Sequence, residues 1–291
     1  MPDLGLLLDV DGPIASPVTR TIAIPSIAQD LVRLARVGVP IAFITGRSDA
    51  FIRDQVVTAL LDAGLADVDE SFRIFGVFEK GAAWAPITRE GMGQVTVEDS
   101  VALPPVVVQE VRELVAAEFS AAMFFDETKR AMISVEQRTD VSSDAYYPEQ
   151  KRFEALVFDL AVRHGLGMRH GDRVAEDSEG HVPFRIDTTV ISTDVESVTL
   201  DKDHAAERAL AYFAESGDLP RRWRTAGDSR SDYKMADHLH AAGFDVAHVD
   251  VRPSDGILDR EYPILTIDDL IHDEAGAKFL RGCVAELGLD D

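Results

Sequence analysis

The sequence predicts an α/β protein: a doubly wound parallel sheet with an α+β unit inserted into it. Three observations carry that expectation. The short strand-like segments LGLLLDVDG, VPIAFITG and WRTAGDS each close on acids or on a Thr-Gly pair, the pattern of buried parallel strands whose C-terminal ends open at a ligand site. Amphipathic segments of helical spacing follow them, giving the alternation of a parallel α/β sheet. Between residues 87 and 196 that alternation lapses, and helical and extended stretches interleave in another order.

In chain order, Leu4 to Val10 reads as the first strand. Ser26 is expected to cap the helix IAQDLVRLARVG, with Ile27, Leu31 and Leu34 on its apolar face and Gly38 as its stop. VPIAFIT is the second strand. The next helix, SDAFIRDQVVTALLDAG, carries Phe51, Ile52, Val56 and Leu60 at helical spacing and stops at Gly64. FRIFGVFEKGAAWA then reads as a strand and a turn. The inserted region offers the helix PPVVVQEVRELVAAEF, the strand-like AMISVEQ, the helix EQKRFEALVFDLAVRHG, the loop AEDSEGH and the strand-like FRIDTTVIST. From Trp223 the first pattern returns: WRTAGDS, a helix through Tyr233 and Met235, the strand FDVAHV and a last helix over Ala275 to Leu287. The expected domains are therefore a core over 1–86 and 197–291 and an inserted unit over 87–196.

Composition bounds the function classes. The chain has 291 residues, 46% of them hydrophobic, with no run approaching the roughly 20 apolar residues of a bilayer-spanning helix. Its N-terminus lacks a basic segment and a small-residue cleavage site, so a cytoplasmic protein is expected. The single cysteine, Cys283, excludes an intramolecular disulfide and a cysteine-based metal site. A formal charge of −23 repels nucleic acid and anionic membranes. It does not exclude a small phosphorylated ligand held by a divalent cation and local basic groups.

Four motifs carry chemistry. Asp9 and Asp11 stand two apart at a strand end, followed by Gly12, which can turn the second carboxylate toward the first. Such a pair suits magnesium, or a nucleophile with an acid/base partner; it also suits a plain polar loop. Thr45, Gly46 and Arg47 close the second strand, where a hydroxyl and free N–H groups can hold a phosphoryl oxygen or merely lead into a capped helix. Lys202 opens a helix, where a cation wants solvent or an anionic partner. AGDSRSD sets Asp228 and Asp232 one helical turn apart, close enough to share a cation or simply to start a helix.

In this order (LLLDVDG, ITGR, Lys202, GDSRSD) the motifs resemble those of the haloacid dehalogenase superfamily of phosphatases, in the subclass with an α+β cap between the second and third motifs, the sugar-phosphate, sucrose-phosphatase and Cof-like members. The resemblance spans the Rossmann-like core, and the insertion matches in position. It implies a Mg²⁺-dependent phosphomonoester hydrolase for a small phosphorylated metabolite, a sugar phosphate. Asp9 would be the nucleophile that becomes an aspartyl-phosphate, and Asp11 the acid and then the base. Thr45 and Lys202 would hold the transferring oxygens, with Gly46 and Arg47 binding substrate. Mg²⁺ would sit among Asp9, the backbone carbonyl of Asp11, Asp228 and Asp232, the last either directly or one layer out. A phosphomutase or a non-catalytic phospholigand-binding module are the alternatives. A monomer or homodimer is expected, with no nucleic-acid or membrane partner.

Two positions depart from the pattern: Pro13, where relatives commonly carry threonine, and Lys80, where relatives often carry asparagine before the glycine. Arg163, His164, Arg169, His170 and Arg173 form a basic group in the insertion. It reads either as a substrate patch, with Arg163 and Arg169 as candidates, or as a solvated helix end. His238 and His240 read as solvated.

Overall fold

The structure is a computed structural model that describes residues 3–289. In chain order it runs β1 (Gly5–Leu8), α1 (Pro25–Arg36), β2 (Ile41–Ile44), then α2 (Asp49–Phe51) and α3 (Thr58–Asp62), joined without a break by the π turn Ile52–Val57. There follow β3 (Ile74–Phe78), β4 (Ala83–Thr88), β5 (Gly91–Met92) and β6 (Thr96–Val97). The middle region holds α4 (Pro105–Leu114), extended by the π turn Val115–Phe119, β7 (Met123–Phe125), β8 (Ile133–Gln137) and α5 (Ser143–Arg163). It continues with β9 (Met168–His170), β10 (Arg173–Ala175), β11 (Phe184–Thr188) and β12 (Ser192–Ser197). The chain ends with α6 (Lys202–Ser216), β13 (Arg222–Gly227), α7 (Tyr233–Ala241), β14 (Asp245–Asp250), β15 (Ile264–Leu265) and α8 (His272–Glu286).

The residues fall into two compact units, one comprising the chain up to Thr96 and from Asp201, the other Val97–Leu200. The sequence boundaries, 86/87 and 196/197, differ from these for visible reasons. The β4 hairpin continues through β5 and β6 on the core sheet, and β12 runs to Ser197 within the inserted sheet.

In the first unit the sheet order is β15-β14-β13-β1-β2-β3-β4-β5, with β6 also on β4. From β15 to β3 all pairings are parallel, and β4 returns antiparallel to β3. The strands β1, β2 and β3 are buried along their whole length, as a sheet covered on both faces requires. One face packs Leu7, Ile44 and Val77 against Ala205, Ala209 and Phe213 of α6 and Met235 and Leu239 of α7. The helices α1 and α8 are tied by Asp30, fully buried, 3.2 Å from Arg33 and 3.1 Å from Arg281.

Ser26 does not cap α1. Pro25 opens the helix, its missing N–H costing nothing at that end, and Ile24 before it makes no side-chain cap. Gly38 and Gly64 do stop their helices, at φ +86° and +96°.

The second unit is an α+β unit whose sheet runs β10-β9-β11-β12-β8-β7, antiparallel except between β9 and β11. It has its own core, in which Val111 and Phe119 meet Phe153, Val157, Ile133 and Val195. FRIDTTVIST is two strands rather than one. Thr189 folds the chain over, its N–H donating to the Ser192 carbonyl at 2.8 Å and its hydroxyl oxygen accepting from the Ser192 N–H at 2.9 Å. A threonine turn inside a β-branched run leaves no glycine or proline to announce it. The helix α5 begins before Glu149 and carries Pro148 inside it, at the loss of one backbone hydrogen bond. Among the described residues no helix is long and apolar enough to cross a membrane.

Candidate active site

Parallel strands leave the C-terminal ends of neighbours side by side, and three of the motifs lie there. Asp9 follows β1, Thr45 follows β2 and Asp228 follows β13, the two strands flanking β1. The fourth, Lys202, begins α6, where Asp201 caps the helix by accepting the Lys202 N–H at 2.8 Å.

Asp9 is 6% exposed and Lys202 7%. The lysine ammonium donates to Asp9 Oδ1 at 2.5 Å and to the Ile44 carbonyl at 2.8 Å, and lies 2.9 Å from Asp232 Oδ1. A cation at a helix start thus finds the anionic partners it needs there. Asp232, fully buried, accepts through Oδ2 from the N–H groups of Asp228 at 3.1 Å and Ser229 at 2.9 Å and from the Ser229 hydroxyl at 2.8 Å. It therefore shapes the loop after β13 as well as facing Lys202. Gly227 permits that loop, since a Cβ there would fall 2.2 Å from the Asp232 Cβ.

Asp9, Asp228 and Asp232 offer carboxylate oxygens all within 4.8 Å of one another. Burial first, and Asp232 beside it, push Asp9 well above the usual carboxylate range, against the pull of Lys202. Burial and Asp232 likewise push Asp228 up to about 6, against Arg252 and His272. Burial pulls the Lys202 ammonium down, but Asp232 and Asp9 outweigh it and hold it above its ordinary value. Such a crowd of buried oxygens fits a hard divalent cation, and its all-oxygen donor set suits Mg²⁺. Arg252 and His272, 4.0 and 3.9 Å from Asp228 Oδ2, escaped sequence reading. Arg252 lies just past the end of β14, where the strand-end rule would have found it; His272 opens α8, three residues ahead of the helix start expected from the sequence.

The Asp11 carboxylate is near enough to add to the upward push on Asp9. Gly12 after it has φ +96° and lies so close to the loop after β13 that a Cβ would meet the Asp228 Cβ at 2.8 Å. The Asp11 side chain, 35% exposed, is gripped by Arg47. The Thr45 hydroxyl oxygen, fully buried, accepts the Arg47 N–H at 3.0 Å. Lys80 lies along Gly46, where a Cβ would come 3.8 Å from the Lys80 Cε. Three successive residues, Glu79, Lys80 and Gly81, have positive φ of 50°, 56° and 110°. Two of them are not glycine, and strain of about 1–3 kcal/mol each persists only where the surroundings impose it. Here the Glu79 N–H donates to the Arg47 carbonyl at 3.1 Å and the Lys80 N–H to the Thr45 carbonyl at 3.0 Å. Pro13 is accommodated by α8, where Gly276 leaves room for its carbonyl.

The basic group of the insertion is dispersed among partners. His164 meets Glu110 at 3.0 Å, His170 meets Glu154 at 3.4 Å, and Arg173 meets Asp159 at 2.8 Å. Arg163 and Arg169 are exposed, on the last turn of α5 and on β9. His240 pairs with Glu261 at 3.4 Å on the surface.

No protein-family model matches the chain, and no curated protein matches it in sequence. Solved structures do match in shape. The C-terminal domain of C. albicans trehalose-6-phosphate phosphatase aligns with a TM-score of 0.63 at 13% identity, covering 98% of this chain and 93% of that one. A haloacid dehalogenase-like hydrolase from Bacteroides thetaiotaomicron gives 0.58 at 13% identity, over 96% and 98%. The Synechocystis sucrose-phosphatase, solved with sucrose and phosphate, gives 0.51 at 15%, over 99% of both. This is the haloacid dehalogenase-like fold. The likeness runs through the insertion as well as the core.

Proposed function

We propose that the protein is a Mg²⁺-dependent phosphomonoester hydrolase acting on a small phosphorylated metabolite of the sugar-phosphate class. One observation carries the reading: a buried aspartate at a strand end, in contact with one lysine and grouped with two further carboxylates within 4.8 Å. The fold it shares with solved sugar-phosphate phosphatases supports the substrate class.

Phosphoryl transfer asks the protein chiefly for positioning and charge neutralisation. Asp9, fixed by Lys202, attacks phosphorus and becomes an aspartyl-phosphate. Asp11 gives its proton to the leaving oxygen, then takes one from the water that hydrolyses the intermediate. Thr45 and Lys202 hold the transferring oxygens. Asp9, Asp228 and Asp232, with the Asp11 carbonyl, would hold Mg²⁺. When bound, the cation neutralises phosphoryl charge that the acidic site would otherwise repel. Gly46, Arg163 and Arg169 are the remaining candidates for substrate contact.

Purified protein with Mg²⁺ should release phosphate from at least one member of a sugar-phosphate panel or from a generic aryl phosphate. Asp9→Asn should lower that rate by at least ~10⁴-fold, since it removes the nucleophile on which the two-step route depends. Phosphate release undiminished in Asp9→Asn would overturn the mechanism, and isomerised sugar phosphate without phosphate release would make the protein a mutase.

A further inference from the structure

The geometry around Arg47 carries an inference beyond the one its motif suggests. Its Nε lies 3.1 and 3.3 Å from the two Asp11 oxygens, and its Nη2 lies 3.0 Å from Oδ1. The planar fork therefore engages both oxygens and fixes the plane of the carboxyl group, which a lysine could not do. The guanidinium carbon is itself 5.1 Å from the centre of the Phe51 ring. Its backbone is held from two sides: the N–H by the Thr45 hydroxyl, the carbonyl by Glu79 of the strained turn. The fully buried Thr45 and Glu79 keep that anchorage from moving.

We propose that Arg47 is a positioning residue for the proton transfers of Asp11, rather than a substrate contact, and that the strained Glu79–Gly81 turn exists to seat it. The inference rests on the phosphohydrolase reading. In the first step the Asp9 oxygen forms a bond to phosphorus while the ester P–O bond breaks. The bonding pair goes to the leaving oxygen, which takes the Asp11 proton. In the second step water adds to phosphorus, its proton returns to Asp11, and the Asp9 oxygen leaves. Each transfer requires the Asp11 carboxyl at one orientation, within hydrogen-bond reach of an oxygen on the reacting phosphorus.

The test compares phenyl phosphate, which needs a proton on its leaving oxygen, with p-nitrophenyl phosphate, which needs it far less. Both are measured with Mg²⁺ on the same preparation, so any loss of folded protein cancels from their ratio. In Arg47→Lys and Arg47→Gln the ratio of kcat for the nitrophenyl over the phenyl ester should rise by ~10-fold or more, with KM for both changed by less than ~3-fold. Adding Arg47→Gln to Asp11→Ala should raise the ratio no further, because the group being positioned is already gone. An unchanged ratio with KM raised for both esters overturns the inference alone and makes Arg47 a substrate contact. Turnover of neither ester by the unaltered protein overturns the phosphohydrolase reading for these esters, and this inference with it.

Discussion

At the scale of the residue, the site is a problem of crowded negative charge. Asp228 is an acid whose folded pKa, about 6, lies above its ordinary value near 4. Between those values the folded state holds the proton that the unfolded chain gives up. Without metal, this group's contribution to stability falls as pH rises from about 4 to 6, and the penalty is fully present above that. A cation requires the deprotonated carboxylate, so metal binding runs the other way. At a fixed Mg²⁺ concentration the rise in melting temperature should be larger at pH 7.5 than at pH 5. Asp228→Asn should abolish that rise and make the metal-free protein at pH 7.5 at least as stable as the parent. Equal Mg²⁺ shifts at both pH values would remove Asp228 from the proposed metal site.

At the scale of the element, β13 and β14 share a buried polar pair. Thr225 stands opposite His248 in their register, its hydroxyl 2.7 Å from the imidazole Nδ1, and burial pulls the histidine down to about 4. The sign is opposite to that of Asp228: the folded state needs neutral His248, so its stabilisation is complete above about 6.5 and is lost as pH falls toward 4. Denaturant titrations of His248→Gln between those values should show a pH slope flatter by up to about 1.4 kcal/mol per unit, the value of one proton. Neither this pair nor the Asp30 clamp between α1 and α8 could be read from the sequence, because each joins residues distant in the chain. What could be read was periodic or punctuated: apolar strands ending in acids, helices stopped by Gly38 and Gly64. Where punctuation misled, local chemistry decided, as when Pro25 displaced Ser26 at the start of α1 and Thr189 made a turn without glycine. The site followed the same division. Asp9, Thr45, Lys202 and Asp228 announced themselves at strand and helix ends, whereas the Arg47 grip on Asp11 and the approach of Arg252 and His272 to Asp228 exist only in three dimensions.

At the scale of the molecule, a formal charge of −23 means that surface carboxylates repel one another over distances that salt screens, about 10 Å at 0.1 M and about 3 Å at 1 M. The melting temperature should therefore rise between 0.05 and 1 M NaCl, and a flat profile would show that the acids are locally compensated. The sheet order has a temporal side too. Gly5 of β1 lies opposite Trp223 of β13, so on a ribosome adding about 5–20 residues per second the first strand waits roughly ten to forty seconds for one of its two neighbours. During that interval β1 to β6 stand without β13, β14 and β15, and the bare apolar edge at β1 invites chaperones or mispairing. Asp9 is made early, but its lysine and its companion carboxylates arrive late, so an unfinished chain carries the proposed nucleophile without the partners that would let it act.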